Sequence, residues 1–249
     1  MGKIEKEKFI CVDCETTGLD VEKDQIIEVG VALFTFDGIL EQYETLVDPG
    51  CPISEESIAI HNITDAMVKG QPVIAEVLPR ILKMIGSWPI VGHGVKFDID
   101  IIACAAKKHG IPCNITENTV IDTLRLARHY GDSPVNSLNF LARHFNVPSD
   151  GPHRAMADVN VNIEVFKHLS RRFQTFAKMM EVLSKPVLLK TMPLGKHKGR
   201  LMKEVPLHYL QWAANKDFDQ DLLFSIRSEI KKRKQGNNFS QSSNPFSSL

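Results

Sequence analysis

The order of apolar and polar positions divides the first fifty residues into three strand-like runs. Phe9-Ile-Cys-Val12 is a short apolar run that continues through Asp13 to Glu15, and Ile26 to Phe36 and Ile39 to Val47 are two longer ones. Asp37-Gly38 lies between the last two and is a two-residue hairpin signal, which implies antiparallel pairing. Asp48-Pro49-Gly50 then breaks the chain. Ser54 to Val68 reads as short helical turns around Ile60-His61-Asn62-Ile63, with Thr64 as an N-cap, and Pro72 to Ile85 has helical spacing with Pro79 as a kink or restart. Trp88 to Val91 predicts a buried strand running into Gly92-His93-Gly94, and Phe97 to Lys108 a helix closed by Gly110. Val120-Ile-Asp122 predicts a short strand, Thr123 to Tyr130 and Leu138 to Phe145 two helices, and the region after the polar loop Ser149 to Pro152 one long helix reaching about Leu183. The order β-β-β-α-β-α-β-α-α is that of an α/β domain with a mixed sheet.

Two acids interrupt this pattern. Asp13 and Glu15 stand in what should still be buried strand, where an unpaired carboxylate loses several kcal/mol of hydration. Residues i and i+2 of a strand share a face, so both are aimed at one point, where a hard divalent ion would fit. The bland alternative is a solvated strand end, and Cys14 between them should face the opposite side as a small core residue. Asp98 opens a predicted helix, and Asp158 stands near the start of the last one, five residues after His153. Each of these would also suit a helix dipole. Together the four acids and the histidine supply the parts of a two-metal site. Asp122 reads as a helix cap.

Length and composition narrow the setting. A chain of 249 residues fits one large domain and a small appendage, and 43% hydrophobic with 24% charged residues is ordinary for a globular protein with a sizeable core. No apolar run approaches the roughly 18 residues needed to span a membrane, Met1 to Lys8 lack the apolar segment expected of a signal peptide, and Lys6 departs from a myristoylation pattern. Five cysteines, an odd number, argue against a disulfide framework and for a reducing, cytoplasmic compartment. Formal charge is zero overall but −6 over residues 1–185 and +6 over residues 186–249. The acidic excess suits a metal-loaded site; the basic one suits a polyanionic partner or, equally, a solvated helix.

Three stretches in order resemble the DEDDh 3′–5′ exonuclease superfamily, the group containing the proofreading subunit of bacterial DNA polymerase III, exonuclease X and ribonuclease T. Asp13-Cys-Glu15-Thr-Thr-Gly is similar to its first motif, His93-Gly-Val-Lys-Phe-Asp98 to its second and His153-Arg-Ala-Met-Ala-Asp158 to its third, over roughly residues 8–175. One departure is Gly94, where many members carry Asn, which puts a local hydrogen bond in question. The resemblance implies a ribonuclease H-like mixed five-stranded sheet flanked by helices, and a metal-dependent 3′–5′ exonuclease acting on DNA, releasing nucleoside 5′-monophosphates. It implies two Mg²⁺ or Mn²⁺ ions held by Asp13, Glu15, Asp98 and Asp158. By the same resemblance Asp13 would bridge them, Glu15 and Asp158 would complete the site of the water-bearing ion, and Asp98 would act mainly through the other ion's water shell. His153 would be the general base, histidine being the side chain that ordinarily titrates near neutrality. By the same resemblance Thr16, Thr17 and Leu19, with His61, line the pocket of the terminal nucleotide; as a loop residue His61 also reads as structural. Single-stranded or frayed 3′ ends of DNA are the implied partner, and pairing as a homodimer is implied by relatives. The alternatives are an exoribonuclease of the same fold and a non-catalytic, polymerase-associated nucleic-acid-binding module.

The remaining sequence has a different character. Residues 186–235 resemble the small basic domain that follows the exonuclease in some exonuclease X relatives. Within them, Gly195-Lys-His-Lys-Gly199 precedes an aromatic patch at Tyr209 and Trp212. The glycines bracketing Lys196 and Lys198 suit either a phosphate contact or a tight hairpin with solvated lysines. Phe218 to Lys234 predicts an amphipathic helix with a basic end. Residues 236–249 are Ser/Asn-rich and predicted disordered; Gln241 to Phe246 is loosely similar to a sliding-clamp-binding peptide.

Overall fold

A computed structural model describes residues 3–130, 135–148 and 153–242, with side chains through 235. The loop read at Ser149 to Pro152 and the last residues of the clamp-like segment lie outside the described residues. The chain divides into two compact units, Met1–Leu183 and Ser184–Leu249.

The first unit begins with strands β1 (Phe9–Thr16), β2 (Ile26–Thr35) and β3 (Gly38–Leu46). β1 and β2 pair antiparallel, as do β2 and β3; the latter are joined by a two-residue turn at Phe36-Asp37, one position before the expected Asp37-Gly38, because Gly38 pairs with Thr35 as the first residue of β3. Three helices follow, α1 (Glu55–His61), α2 (Asp65–Val68) and α3 (Ile74–Ile85). The last continues through Pro79. The hydrogen bond lost there costs about 3 kcal/mol, less than the burial of Ile74, Val77, Leu78, Ile81 and Ile85 contributes at roughly 1.5–3 kcal/mol each. Next come β4 (Ile90–Gly92), α4 (Lys96–Lys108), β5 (Val120–Asp122) and α5 (Thr123–Tyr130), then α6 (Leu138–His144).

The long helix expected up to Leu183 is two: α7 (Ala155–Ser170) and α8 (Phe176–Leu183). The break has a cause in the N-terminal segment. Lys3 bridges Thr175, Ile4 N–H donates to the Gln174 carbonyl at 3.4 Å, and the side chain of Phe173 turns into the core.

The sheet has five strands in the order β3-β2-β1-β4-β5, with β4 parallel to both β1 and β5. Each face carries its own core. Phe9 and Cys11 pack with Phe34, Val159 and Phe166 on one side, and Ile10, Val12 and Cys14 with Val29, Ile81 and Ile102 on the other. Phe9 and Phe34 meet Phe166 at ring-centroid distances of 5.0 and 5.8 Å, which seats α7 across β1 and β2. Cys11 and Cys14 have the spacing of a paired-cysteine motif, yet on a strand that spacing sends them to opposite cores, and both thiols are buried.

The second unit is built from α9 (Leu207–Ala213) and α10 (Gln220–Ser242), the latter extending past the end expected at Lys234. Met192, Met202, Val205, Leu210, Ala213, Leu222 and Ile226 form its core. Among the described residues no helix is long and apolar enough to cross a membrane.

Candidate active site

Asp13 and Glu15 continue the face of β1 that carries Phe9 and Cys11, the face α7 covers, so the strand delivers both acids toward the start of that helix. Asp98, in the first turn of α4, is buried and its Oδ1 accepts the Cys14 N–H at 2.9 Å. That bond ties the second motif to the backbone between the two acids of the first. Asp158, in the first turn of α7, accepts the His153 N–H at 2.9 Å on Oδ2. His153 takes a left-handed backbone conformation with φ of 64° and is exposed. This turn folds the imidazole back over the helix start, and one ligand atom from each of Glu15, His153 and Asp158 lies within 4.8 Å of the other two.

The acids act on one another's protons. Burial, then the charges of Asp98, Asp158, Glu15 and Glu28, holds the Asp13 carboxyl well above the usual carboxylate range. Burial, with Asp158, Glu28 and Asp98, pushes Glu15 up to about 8 against the pull of Arg154. Burial raises Asp98 to about 7 even though the Cys14 N–H stabilises its anion. Asp158 is raised by burial too, partly offset by the His153 N–H. The structure thus brings the four acids and His153 to one place.

A fifth acid there was missed from sequence. Glu28 lies opposite Glu15 in the β1–β2 register and is 1% exposed. It accepts from Arg154 Nε at 3.0 and 3.1 Å, from Arg154 Nη2 at 2.6 Å, and from the Ala155 N–H at 2.8 Å. The residues after His153 are therefore bolted to β2 by a forked ion pair. Its signal was legible: Ile26-Ile-Glu-Val29 places an acid inside a buried strand, as Asp13 does. Gly30, beside Asp13, completes the approach, since a Cβ there would stand 2.8 Å from the Ala155 carbonyl carbon and the Met156 nitrogen.

The loop after β4 is held by a different set. Gly94, with φ of 73°, sits in the left-handed region that glycine and asparagine share, and its N–H donates to Asp122 Oδ1 at 2.9 Å. The same oxygen accepts the Leu124 N–H at 2.9 Å, so Asp122 does cap α5. His93 faces Thr123 Oγ1 at 3.0 Å, and burial lowers it to about 4, leaving it neutral.

The residues expected around the terminal nucleotide divide. Thr16 and Thr17 are buried with their hydroxyls engaged in their own loop, Thr16 donating to the Gly18 carbonyl at 2.6 Å and Thr17 to Asp24 Oδ1 at 2.9 Å. Leu19 is 87% exposed. His61, the last residue of α1, is buried; its Nδ1 accepts the Ile63 N–H at 3.0 Å, while its Nε2 has no hydrogen-bond partner among the described residues. Burial lowers its pKa, the Thr16 backbone and Glu28 oppose that, and His153 adds to it.

The donor set fits a divalent ion. Clustered carboxylate oxygens are what hard cations take. These acids crowd together, while the nearby Arg154 is committed to Glu28.

Such an acid cluster at the end of the central strand of a mixed β3-β2-β1-β4-β5 sheet defines the ribonuclease H-like α/β class. The exonuclease family profile matches residues 10–166, and the chain belongs to that family, whose members are divalent-metal dependent. A second profile, of a putative quorum-sensing-regulated virulence factor, matches residues 181–228. The chain is 38% identical over 168 residues to a PolC-type DNA polymerase III of Caldanaerobacter subterraneus subsp. tengcongensis, covering 67% of this chain but 12% of that one. It is 36% identical over 159 residues to DNA polymerase III subunit epsilon of Aquifex aeolicus, covering 64% and 78%. A solved exonuclease X in complex with 5′ overhanging duplex DNA superposes with a TM-score of 0.55 at 27% identity, covering 70% and 98%.

Proposed function

We propose that the chain is a 3′–5′ exonuclease acting on DNA ends, with Asp13, Glu15, Asp98 and Asp158 holding two Mg²⁺ or Mn²⁺ ions and His153 as general base. The observation that carries this reading is the meeting of Glu15, His153 and Asp158 within 4.8 Å beside Asp13 and Asp98. Likeness to subunit epsilon, and to an exonuclease X solved with DNA, supports the substrate. When bound, two hard cations would neutralise the facing carboxylates, stabilise charge developing on the phosphate and lower the pKa of the attacking water.

The chain's own residues do the rest. His153 would accept the water's proton at an imidazole nitrogen, and its exposure leaves that ring open to solvent and substrate. The Asp158 bond to the His153 N–H and the Arg154–Glu28 fork hold the backbone beneath the ring. Leu19, exposed over most of its surface, would pack on the terminal base. His61, buried beneath the loop, would support the pocket from below, while Thr16 and Thr17 shape it through their loop. A replicative DNA polymerase is the protein partner to test first, from the likeness to polymerase III chains.

The test uses matched DNA and RNA oligomers with free or blocked 3′ ends, with Mg²⁺ or Mn²⁺ present and then chelated. Stepwise release of 5′-monophosphates from free DNA 3′ ends is expected, lost in chelator and in a folded Asp13→Ala protein. Cleavage that persists in chelator overturns the mechanism, and preference for RNA moves the substrate to the exoribonuclease alternative.

A further inference from the structure

The C-terminal unit presents a second surface, unrelated in chemistry to the acids. Lys190, Lys196, Lys198, Arg200 and Lys203 fall within fourteen residues that contain no acid. The chain between them closes as a tight hairpin: Met192 N–H donates to the Arg200 carbonyl at 2.9 Å and Gly199 N–H to the Met192 carbonyl at 2.8 Å. Buried Met192 and Met202 root it, Lys196 and Lys198 stand exposed at its tip, and exposed Arg200 stands at its closing pair.

Aromatic rings border this cationic tip. His197 meets Tyr209 edge-on at 4.5 Å, and Tyr209 lies 5.2 Å from Trp212 on α9. Trp212 is 51% exposed, with Lys216 Nζ 5.0 Å from its ring centre. Leu194 and Leu201 on the hairpin are each 38% exposed. Trp212 stands outside the buried core of this unit and outside the residues packed against it. An indole left half in water beside closely spaced cations has the two features a flexible polyanion with flat bases needs, charge for its phosphates and a face for its bases.

We propose that the hairpin 192–202 and the Tyr209–Trp212 side of α9 form a binding surface for single-stranded nucleic acid, with Trp212 stacking on a base and Lys196, Lys198 and Arg200 meeting phosphates. The proposal does not depend on the exonuclease reading, because binding is measured with catalysis switched off.

The experiment is fluorescence anisotropy of a 5′-labelled oligothymidylate with the full chain in EDTA, across a salt series. Trp212→Ala should weaken binding about tenfold, and Trp212→Phe should restore most of it. Replacing Lys196 and Lys198 together by Ala should flatten the plot of log Kd against log salt by about 1.4, since each phosphate of a single strand that a lysine neutralises accounts for about 0.7 of the slope. Hydrolysis of the p-nitrophenyl ester of thymidine 5′-phosphate, which spans one nucleotide, should stay at the wild-type rate in all three proteins. Unchanged oligonucleotide binding in both the Trp212→Ala and the double-lysine proteins overturns the proposal. So does heparin competition that Trp212→Ala does not alter, which would leave only a non-stacking cationic patch. If the wild-type protein fails to hydrolyse the ester while oligonucleotide binding still responds to Trp212→Ala, the exonuclease reading falls and this surface stands.

Discussion

Asp98→Asn should make the metal-free protein more stable, and increasingly so as pH rises. Asp98 is buried, and its pKa is raised from 3.8 to about 7. A carboxyl with a raised folded-state pKa binds a proton in the folded chain that the unfolded chain has released. Its ionisation therefore costs stability, from nothing below about pH 4 to the full amount above about pH 7. At about 1.4 kcal/mol per pH unit the ceiling is about 4 kcal/mol, and some relaxation and water entry bring the expectation to about 2–4 kcal/mol. Asparagine keeps the shape and can still accept the Cys14 N–H, so the charge is what changes. Urea unfolding of both proteins in EDTA measures the difference. Asp98→Asn should exceed wild type by about 1 kcal/mol at pH 5 and by about 2–4 kcal/mol at pH 8. Millimolar Mg²⁺ should then close or reverse the gap at pH 8, because the cation stabilises the ionised set. A difference that is the same at both pH values, or one that shrinks as pH rises, refutes the electrostatic reasoning.

Three further outcomes follow from the same geometry. Gly30→Ala should cost about 1–3 kcal/mol and depress activity, because the new Cβ meets the α7 backbone at 2.8 Å and must push Asp158 away from β1; thermal melting and turnover together check it. Arg154→Ala should lower stability by about 2–3 kcal/mol, discounted because its side chain is 45% exposed, by leaving the buried Glu28 short of its partner; Arg154→Lys, lacking the fork, should recover only part of that. His153→Ala should lower kcat about 10²–10⁴-fold while leaving Mg²⁺ affinity, read by calorimetry, within a few-fold of wild type. Loss of metal binding together with rate would make His153 a ligand instead of a base.

Much of this protein was legible along the chain because its signals are local. The strand Val120 to Asp122 and the helix Thr123 to Tyr130 stand where the pattern put them, and the β2–β3 hairpin turn falls one position before the expected Asp37-Gly38, since turn chemistry and periodicity act within a few residues. Asp13 and Glu15 were conspicuous as acids in an apolar run, and strand geometry alone put them on one face. The break between α7 and α8 was not legible, because its cause is pairing with Lys3 and Ile4 at the far end of the chain. Neither was the engagement of the Thr16 and Thr17 hydroxyls within their own loop.

The sequence by itself determined the class of fold, the kinds of donor available and the three stretches that carry them, because residue type and spacing are properties of short segments. Only the tertiary structure decided that Cys14 N–H would hold Asp98, that Arg154 would fork onto Glu28, and that a left-handed turn at His153 would bring its imidazole to Glu15 and Asp158. These bonds join residues up to 126 positions apart. Their partners are chosen by how helices seat on the sheet, which is set by the packing of whole faces such as Phe9, Phe34 and Phe166 rather than by any stretch read alone.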